Sequence, residues 1–551
     1  MQMKKRGNMR ALITKLIMMV LAILFFICIV YFAITVLPYQ EENGVSPIFI
    51  LGSLEAVGIF FGASGLVGYL CVMLLPDRTK ATPAKKWHLA LWLFAFLISI
   101  PFALTKALFG ANEVEPILVF LRDNQMDDIT SVGLDGFTKP LALWGAVLVT
   151  ILISSLVLRH YKRHFGKVLV AISVILLAIS PLVQYITNTL IPNIAQKNFV
   201  IHERFQPPVV LSKPTQQKNL VLIYLESVER SYGMIPEFQK QYQPIKDLAA
   251  RGIELTNIVQ TTGTNYTIAG MVATQCGVPL MTKGLQGVFF RTGVEGSMPN
   301  FLPSLHCLGD QLRQDGYTLS YLNGASLDKF SKRVFLSDHG YTRLFDKALV
   351  SDTAKQGRDN IWGLNDALLF EHVDREFDLL SSQDAPFVLS LLTLSTHGPD
   401  AFLDRDCAPQ ENVSSQIPRA IECTGKLVTK LVEKIQNSPA GKNTVIAIMS
   451  DHLAFFNSVQ TQLDTVAGKR RNLFMLLGAD APQQINRKIA PFDIYPTLLE
   501  TLGYELKDGR ANLGYALSAT SQNLVEELGV ATINKVFTAN QPLARFLWQA
   551  P

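Results

Sequence analysis

Charge is scarce in this chain. Asp, Glu, Lys and Arg make up 17% of its 551 residues and hydrophobic residues 49%, a balance too apolar for one ordinary soluble domain and long enough for two unlike parts. A basic stripe with interleaved aromatics is also missing, which argues against nucleic acid as a partner. Among the six cysteines no C-x-x-C pair occurs, so a thiolate zinc cluster lacks its usual framework. The first apolar run is too long for a signal peptide and lacks a small-residue cleavage site, so it reads as a retained anchor.

What is present divides sharply near residue 191. Five apolar stretches, approximately residues 11–37, 47–76, 87–108, 140–158 and 167–191, are long enough to cross a hydrocarbon core of roughly 30 Å as helices. The second is broken by Gly58, Gly62, Gly65 and Gly68, which suits close packing or tilt. Lys4, Lys5, Arg6 and Arg10 precede the first stretch, Arg78, Lys80, Lys85 and Lys86 follow the second, and Arg159, Lys162, Arg163 and Lys167 follow the fourth. The intervening loops carry Glu41, Glu42, Glu113, Glu115, Asp123, Asp127 and Asp128. Basic loops belong in the cytoplasm, so the N-terminus is expected inside and everything after residue 191 outside. The net charge of +5 therefore reflects topology.

The expected organisation is a five-helix membrane domain over residues 1–191, a juxtamembrane linker over 192–217, an extracytoplasmic α/β domain over 218–520 and a helical tail over 521–551. Cys276, Cys307, Cys407 and Cys423 all fall in the exported part. Four cysteines in an oxidising compartment suggest two disulfides, with three possible pairings; the local ones, Cys276–Cys307 and Cys407–Cys423, are favoured.

Within the exported part, the short runs "NLVLIYL", "TLSYL", "FVLSLLTL", "TVIAIM" and "NLFMLL" alternate with helical patterns. Such alternation predicts a largely parallel sheet covered on both faces. Polar residues follow the runs: Glu226 after the first, His397 after the third, Asp451 and His452 after the fourth. Any one of them could merely cap a helix or begin a turn. Ligands bind at the carboxyl ends of strands in open α/β sheets, so together they predict one convergent site. Two carboxylates and an imidazole suit a divalent cation. The stretch "TTGTNYTIAGMVATQCGVPL" then offers Thr264 where a turn enters a helix, with the hydroxyl at the positive end of the helix dipole. Thr267 is the nearest alternative.

The stretches "NLVLIYLESVER", "GTNYTIAGMVATQCGVPL", "LTLSTHGPD", "IMSDHLAFFN" and "RNLFMLL", in this order after five spans, resemble the phosphoglycerol transferases of the alkaline phosphatase and sulfatase superfamily. The likeness is to those that decorate osmoregulated periplasmic glucans, with lipoteichoic acid synthase a more distant relative. The resemblance implies a sulfatase-like fold anchored in a bacterial inner membrane, with the catalytic domain in the periplasm. It assigns Glu226, Thr264, Asp451 and His452 to one metal ion, manganese by analogy with zinc or magnesium open. Thr264 is also implied as the nucleophile and His397 as the contact to the phosphoryl group. Phe330 and Lys332 match an aromatic and a basic residue that hold the head group, and Arg470, in "GKRRN", is a further candidate. The implied donor is phosphatidylglycerol and the implied acceptor a periplasmic glucan or related glycan. Phosphoethanolamine transfer to lipid A and glycerophosphate polymerisation are the alternatives. The C/S-x-P-x-R signature of formylglycine sulfatases is absent, which argues against sulfate ester cleavage.

Overall fold

A computed structural model describes residues 86–109, 165–180, 183, 201–281 and 301–549, apart from positions 356, 361, 399, 405–406, 408–414, 456, 480 and 540. The chain forms two compact units, Met1–Ile117 with Val132–Thr187, and Leu118–Ser131 with Asn188–Pro551.

In the first unit, helix α1 (Lys86–Phe109) packs on helix α2 (Phe165–Ile179). Trp92 and Phe96 of α1 and Leu169 and Leu176 of α2 are buried. These helices coincide with much of the third and fifth expected spans. Among the described residues no helix is long and apolar enough to cross a membrane, and the expected spans at 11–37, 47–76 and 140–158 lie outside the described residues.

The second unit is built on an eight-stranded sheet. Its strands are β2 (Asn219–Leu225), β3 (Ile253–Leu255), β4 (Thr318–Asn323), β5 (Arg343–Phe345), β6 (Phe387–Leu392), β7 (Thr444–Ser450), β8 (Phe474–Leu477) and β9 (Gln483–Ile485). They lie in the order β5-β4-β6-β2-β7-β8-β3-β9. The first five are parallel, β8 runs antiparallel to β7 and β3, and β3 is parallel to β9. All five apolar runs read from the sequence are strands here. A short β1 (Val210–Ser212) pairs with β10 (Glu505–Leu506) at the periphery.

The continuous apolarity of these runs has a physical cause: both faces of the sheet are covered, so no strand alternates with solvent. In β2 every residue is buried. Leu220, Leu222 and Tyr224 face one core layer and Val221, Ile223 and Leu225 the other. Helices α3 (Gln239–Ala249), α5 (Asp366–Ser381) and α6 (Ile417–Asn437) close the second layer through Ile245, Leu248, Phe377, Val428 and Leu431. Helices α4 (Thr267–Cys276) and α7 (Ile494–Thr501) lie in the first layer, which also takes Ile533, Phe537, Leu543 and Leu547 from the C-terminal helices. The tail expected over 521–551 thus shares the main core. Each fully buried aliphatic side chain contributes about 1.5–3 kcal/mol.

Helix α4 approaches the sheet unusually closely because its inner face is small. A Cβ at Gly270 would stand 1.9 Å from the carbonyl oxygen of Asp451, so only glycine allows this helix to lie against the end of β7. Polar links fix the same contact. The hydroxyl of Tyr224 bonds Thr274 at 2.8 Å, Gln275 Nε2 donates to Tyr224, and the Tyr341 hydroxyl donates to Gln275 Oε1. Disulfides join Cys276 to Cys307 and Cys407 to Cys423.

Candidate metal and phosphoryl-transfer site

The carboxyl ends of β2 and β7 are adjacent, with Leu225 opposite Ser450. The next residue of each strand is therefore delivered to the same edge: Glu226 from one, Asp451 and then His452 from the other. Their ligand atoms lie within 4.8 Å of one another, and all three residues are buried. His452 Nε2 stands 3.5 Å from Glu226 Oε1 and 3.3 Å from Asp451 Oδ2.

Neighbouring groups hold this triad in place. Asp451 Oδ1 accepts from the backbone N–H of Ser227 and of His452, both at 2.9 Å. Ser227, at φ 56°, turns its hydroxyl onto Glu226 Oε1 at 2.8 Å. The Glu226 N–H donates to Thr393 Oγ1, and Thr396 Oγ1 donates to the Glu226 carbonyl. The loop bearing these threonines is held in turn by the buried Asp366, whose Oδ1 accepts from Leu394 N and Ser395 N. Thr393, Thr396, Asp366 and Ser227 escaped the sequence reading. The threonines stand inside the quoted "LTLST" run, but their partners are not local.

Two buried atoms at the centre of the triad, Asp451 Oδ2 and His452 Nε2, have no hydrogen-bond partner. His452 Nδ1 lies 2.8 Å from the Leu453 carbonyl; a carbonyl only accepts, so Nδ1 carries a proton and Nε2 is the nitrogen left to hold a cation or, without one, a second proton. Leaving such atoms unpaired costs about 1–3 kcal/mol each. Two carboxylates and a neutral imidazole aimed at one point fit a divalent cation with oxygen and nitrogen ligands, Mn²⁺, Zn²⁺ and Mg²⁺ among them. The electrostatics agree. Burial, and then the negative Glu226, push Asp451 up to about 7. Burial also opposes charge on Glu226, but His452 and His397 outweigh it and hold that carboxyl well below the usual range. For His452 burial favours the neutral form, yet Asp451 and Glu226 raise it to about 9. Without a cation, a proton does part of the cation's work.

The threonines separate clearly. The Thr264 hydroxyl, fully buried, donates to the Thr261 carbonyl at 2.8 Å and accepts from the Thr261 N–H at 3.0 Å. Gly263, at φ 77°, bends the chain to make that closed turn. The hydroxyl expected as nucleophile and ligand is thus held in a tight turn three residues before α4. Thr267, the first residue of α4, lies 3.5 Å from Glu226 Oε2. Both threonines stand at the entry to a helix whose N-terminus favours anionic oxygen.

His397 borders the same edge. Its Nδ1 donates to the Gly398 carbonyl at 2.8 Å, leaving Nε2 available, and its ring lies 4.5 Å from that of Trp362. Lys332 is buried and has no acid within salt-bridge distance among the described residues; burial draws its ammonium down to about 8 against the lift from Glu226 and Asp451. It follows Phe330 and Ser331, both at φ 57°, a left-handed pair whose strain is typical of functional sites. Phe330 packs its ring partly into the core. Arg470 does not face the triad as a free cation. Its guanidinium bonds both oxygens of the buried Glu229 at 3.0 Å and the Ala454 carbonyl at 2.6 Å, so it braces the loop after His452.

Strand ends carrying a candidate metal triad, with a helix N-terminus and a histidine beside it, suit an α/β domain of the sulfatase and alkaline phosphatase type. Residues 218–504, more than half the chain, match the Sulfatase family, and the chain belongs to it. Within that family it is similar to phosphoglycerol transferase I of Xanthomonas campestris, at 32% identity over 502 residues, 87% of this chain and 68% of that protein. Similarity to phosphoglycerol transferase I of Citrobacter koseri is 32% over 405 residues, 71% of this chain and 51% of that protein. For the Xanthomonas euvesicatoria protein of the same name it is 36% over 346 residues, 60% and 47%. The chain spans about half the length of the latter two relatives. Among solved structures, the lipoteichoic acid synthase LtaP from Listeria monocytogenes superposes with a TM-score of 0.46 at 14% identity, covering 62% of this chain and 95% of that one.

Proposed function

We propose that this protein is a membrane-anchored phosphotransferase that moves the glycerophosphoryl group of phosphatidylglycerol to a periplasmic glucan or related envelope glycan. The observation that carries the reading is a buried acidic and imidazole triad with two orphaned ligand atoms, whose Glu226 meets the start of the helix that the turn of Thr264 enters. The similarity to phosphoglycerol transferase I supports the donor. The loop charges and the two disulfides support five spans, an inner-membrane location and a periplasmic catalytic domain.

In this reading Glu226, Thr264, Asp451 and His452 would hold one divalent cation, with Mn²⁺ favoured by the synthase analogy. The cation would supply positive charge beside the threonine oxygen and the phosphoryl oxygens. Thr264 Oγ1, as the oxyanion, attacks phosphorus in line; an O–P bond forms to the threonine and the P–O bond to diacylglycerol breaks. His397 Nε2, when protonated, gives its proton to the departing diacylglycerol oxygen. The same nitrogen then takes the proton of the acceptor hydroxyl as that oxygen attacks the glycerophosphoryl-threonine and frees Thr264 as the oxyanion. The Lys332 ammonium offsets charge on the phosphoryl group. A cavity of about 260 Å³ lined by Ser326, Asp352, Asp359 and Asn360 among others offers the mixed donors and acceptors a neutral polyol acceptor needs.

The test uses the full chain in vesicles of labelled phosphatidylglycerol or phosphatidylethanolamine, with a linear glucan and Mn²⁺. Diacylglycerol release with glycerophosphoryl groups on the glucan is expected from phosphatidylglycerol. Transfer only from phosphatidylethanolamine, or only to a glycerophosphate polymer, overturns the reading.

A further inference from the structure

Two buried N–H donors outside the metal triad have no partner among the described residues. The first is Asn323 Nδ2, the last residue of β4, fully buried. Its amide orientation is settled by its other end: Asn323 Oδ1 accepts from the Ala325 N–H at 3.1 Å, so nitrogen is the free terminus. The second is Trp362 Nε1. The segments that carry them are joined by backbone pairing. Leu364 N donates to the Gly324 carbonyl at 3.0 Å, Gly363 pairs with Ala325, and a Cβ at Gly363 would meet the Gly324 carbonyl at 2.1 Å. The hairpin bearing Trp362 therefore lies directly on the turn that follows Asn323, and Asn360 Oδ1 holds its tip by accepting from the Trp362 N–H at 2.9 Å. Asn323 pairs with Leu392, the end of the strand leading to His397, whose ring the Trp362 ring meets at 4.5 Å.

What these groups have in common is that both only donate. Indole N–H has no lone pair to offer, and Asn323 turns its Oδ1 to the Ala325 N–H, leaving its NH₂ as the free end. We propose that Asn323 and Trp362 form the subsite that selects the transferred head group, taking the hydroxyl oxygens of a polyol and rejecting an ammonium. This rests on the phosphotransferase reading above and adds to it the residues that choose the donor. A hydroxyl oxygen can accept from either N–H. An ammonium is also donor-only, so in this position it leaves itself and both protein groups unpaired.

The experiment is calorimetric binding of glycerol phosphate and of phosphoethanolamine to the full chain loaded with Mn²⁺, compared among wild type, Asn323→Leu and Trp362→Phe, with thermal unfolding of each. Trp362→Phe keeps the ring against His397 and removes only the N–H, so it reports on the donor even if Asn323→Leu folds poorly. The wild type is expected to prefer glycerol phosphate, and each variant to lose about tenfold in affinity for it while phosphoethanolamine changes by less than about twofold. An unchanged preference in Trp362→Phe overturns the proposal. So does a loss confined to a glucose oligosaccharide, which would assign these donors to the acceptor. A wild type that prefers glycerol phosphate but releases no diacylglycerol from phosphatidylglycerol would support this subsite and refute the transferase reading.

Discussion

At the scale of single residues, two threonines three positions apart have different expected roles. Thr264→Ala removes the proposed nucleophile and the bonds that close the turn on Thr261; it is expected to lower turnover by at least about a thousandfold and to cost about 1 kcal/mol of stability, with metal binding partly retained. Thr267→Ala removes the hydroxyl 3.5 Å from Glu226 and should leave most of the turnover. Turnover by both variants with Mn²⁺ binding measured in parallel checks this. The cation site gives a second prediction. Asp451, pushed up to about 7, and His452, raised to about 9, must both lose protons for a cation to bind. Mn²⁺ affinity should therefore be greatest above pH 9, fall about tenfold per unit between 9 and 7, and approach about a hundredfold per unit below 7. A pH-independent dissociation constant across that range would contradict the assignment of these ligands. Local geometry is what the sequence leaves open at this level. "GTNYT" offers Thr264 with Thr267 as its alternative, and the Gly263 bend that folds Thr264 onto Thr261 leaves no trace in the spacing. Arg470 reads as a further candidate for substrate, and its pairing with Glu229, 241 positions away, is a contact no local pattern shows.

Among the elements, strands were legible and contacts between them were not. Runs such as "NLVLIYL" and "TVIAIM" read as strands because burial on both faces removes every polar position, and that pattern needs no long-range knowledge. Placing Glu226, Asp451 and His452 after such strands was then enough to bring them together. The order of the strands, the antiparallel β8 and the seating of α4 on β7 come from tertiary packing and leave no periodic trace. Gly270 is the exception that a substitution can expose. With a Cβ 1.9 Å from the Asp451 carbonyl, Gly270→Ala must push α4 off β7, shifting the turn that bears Thr264 and enters that helix. We expect a loss of about 1–3 kcal/mol in unfolding free energy together with a fall in turnover. Denaturant unfolding and steady-state rates on the same sample test both. Full activity at reduced stability would separate the packing from the chemistry.

For the whole molecule, the disulfides and the topology are one argument. Cys276–Cys307 spans a separation of 31 residues and ties the end of α4 to the segment beyond it. Its reduction should lower stability by about 3–4 kcal/mol on loop-entropy grounds, seen as a fall in unfolding temperature with reductant. A reporter fused after residue 191 should be active only if it works outside the cytoplasm, and one near Lys85 only inside. These tests address where the enzyme works. The central claim, that Thr264 carries the glycerophosphoryl group between donor and acceptor, is met most directly by rapid quench of the Mn²⁺-loaded full chain with phosphatidylglycerol and no acceptor, followed by peptide mass spectrometry. The expected result is a glycerophosphoryl adduct on Thr264 that is absent in Thr264→Ala and disappears when glucan is added. An adduct on Thr267, or undiminished transfer with none on the protein, would contradict it.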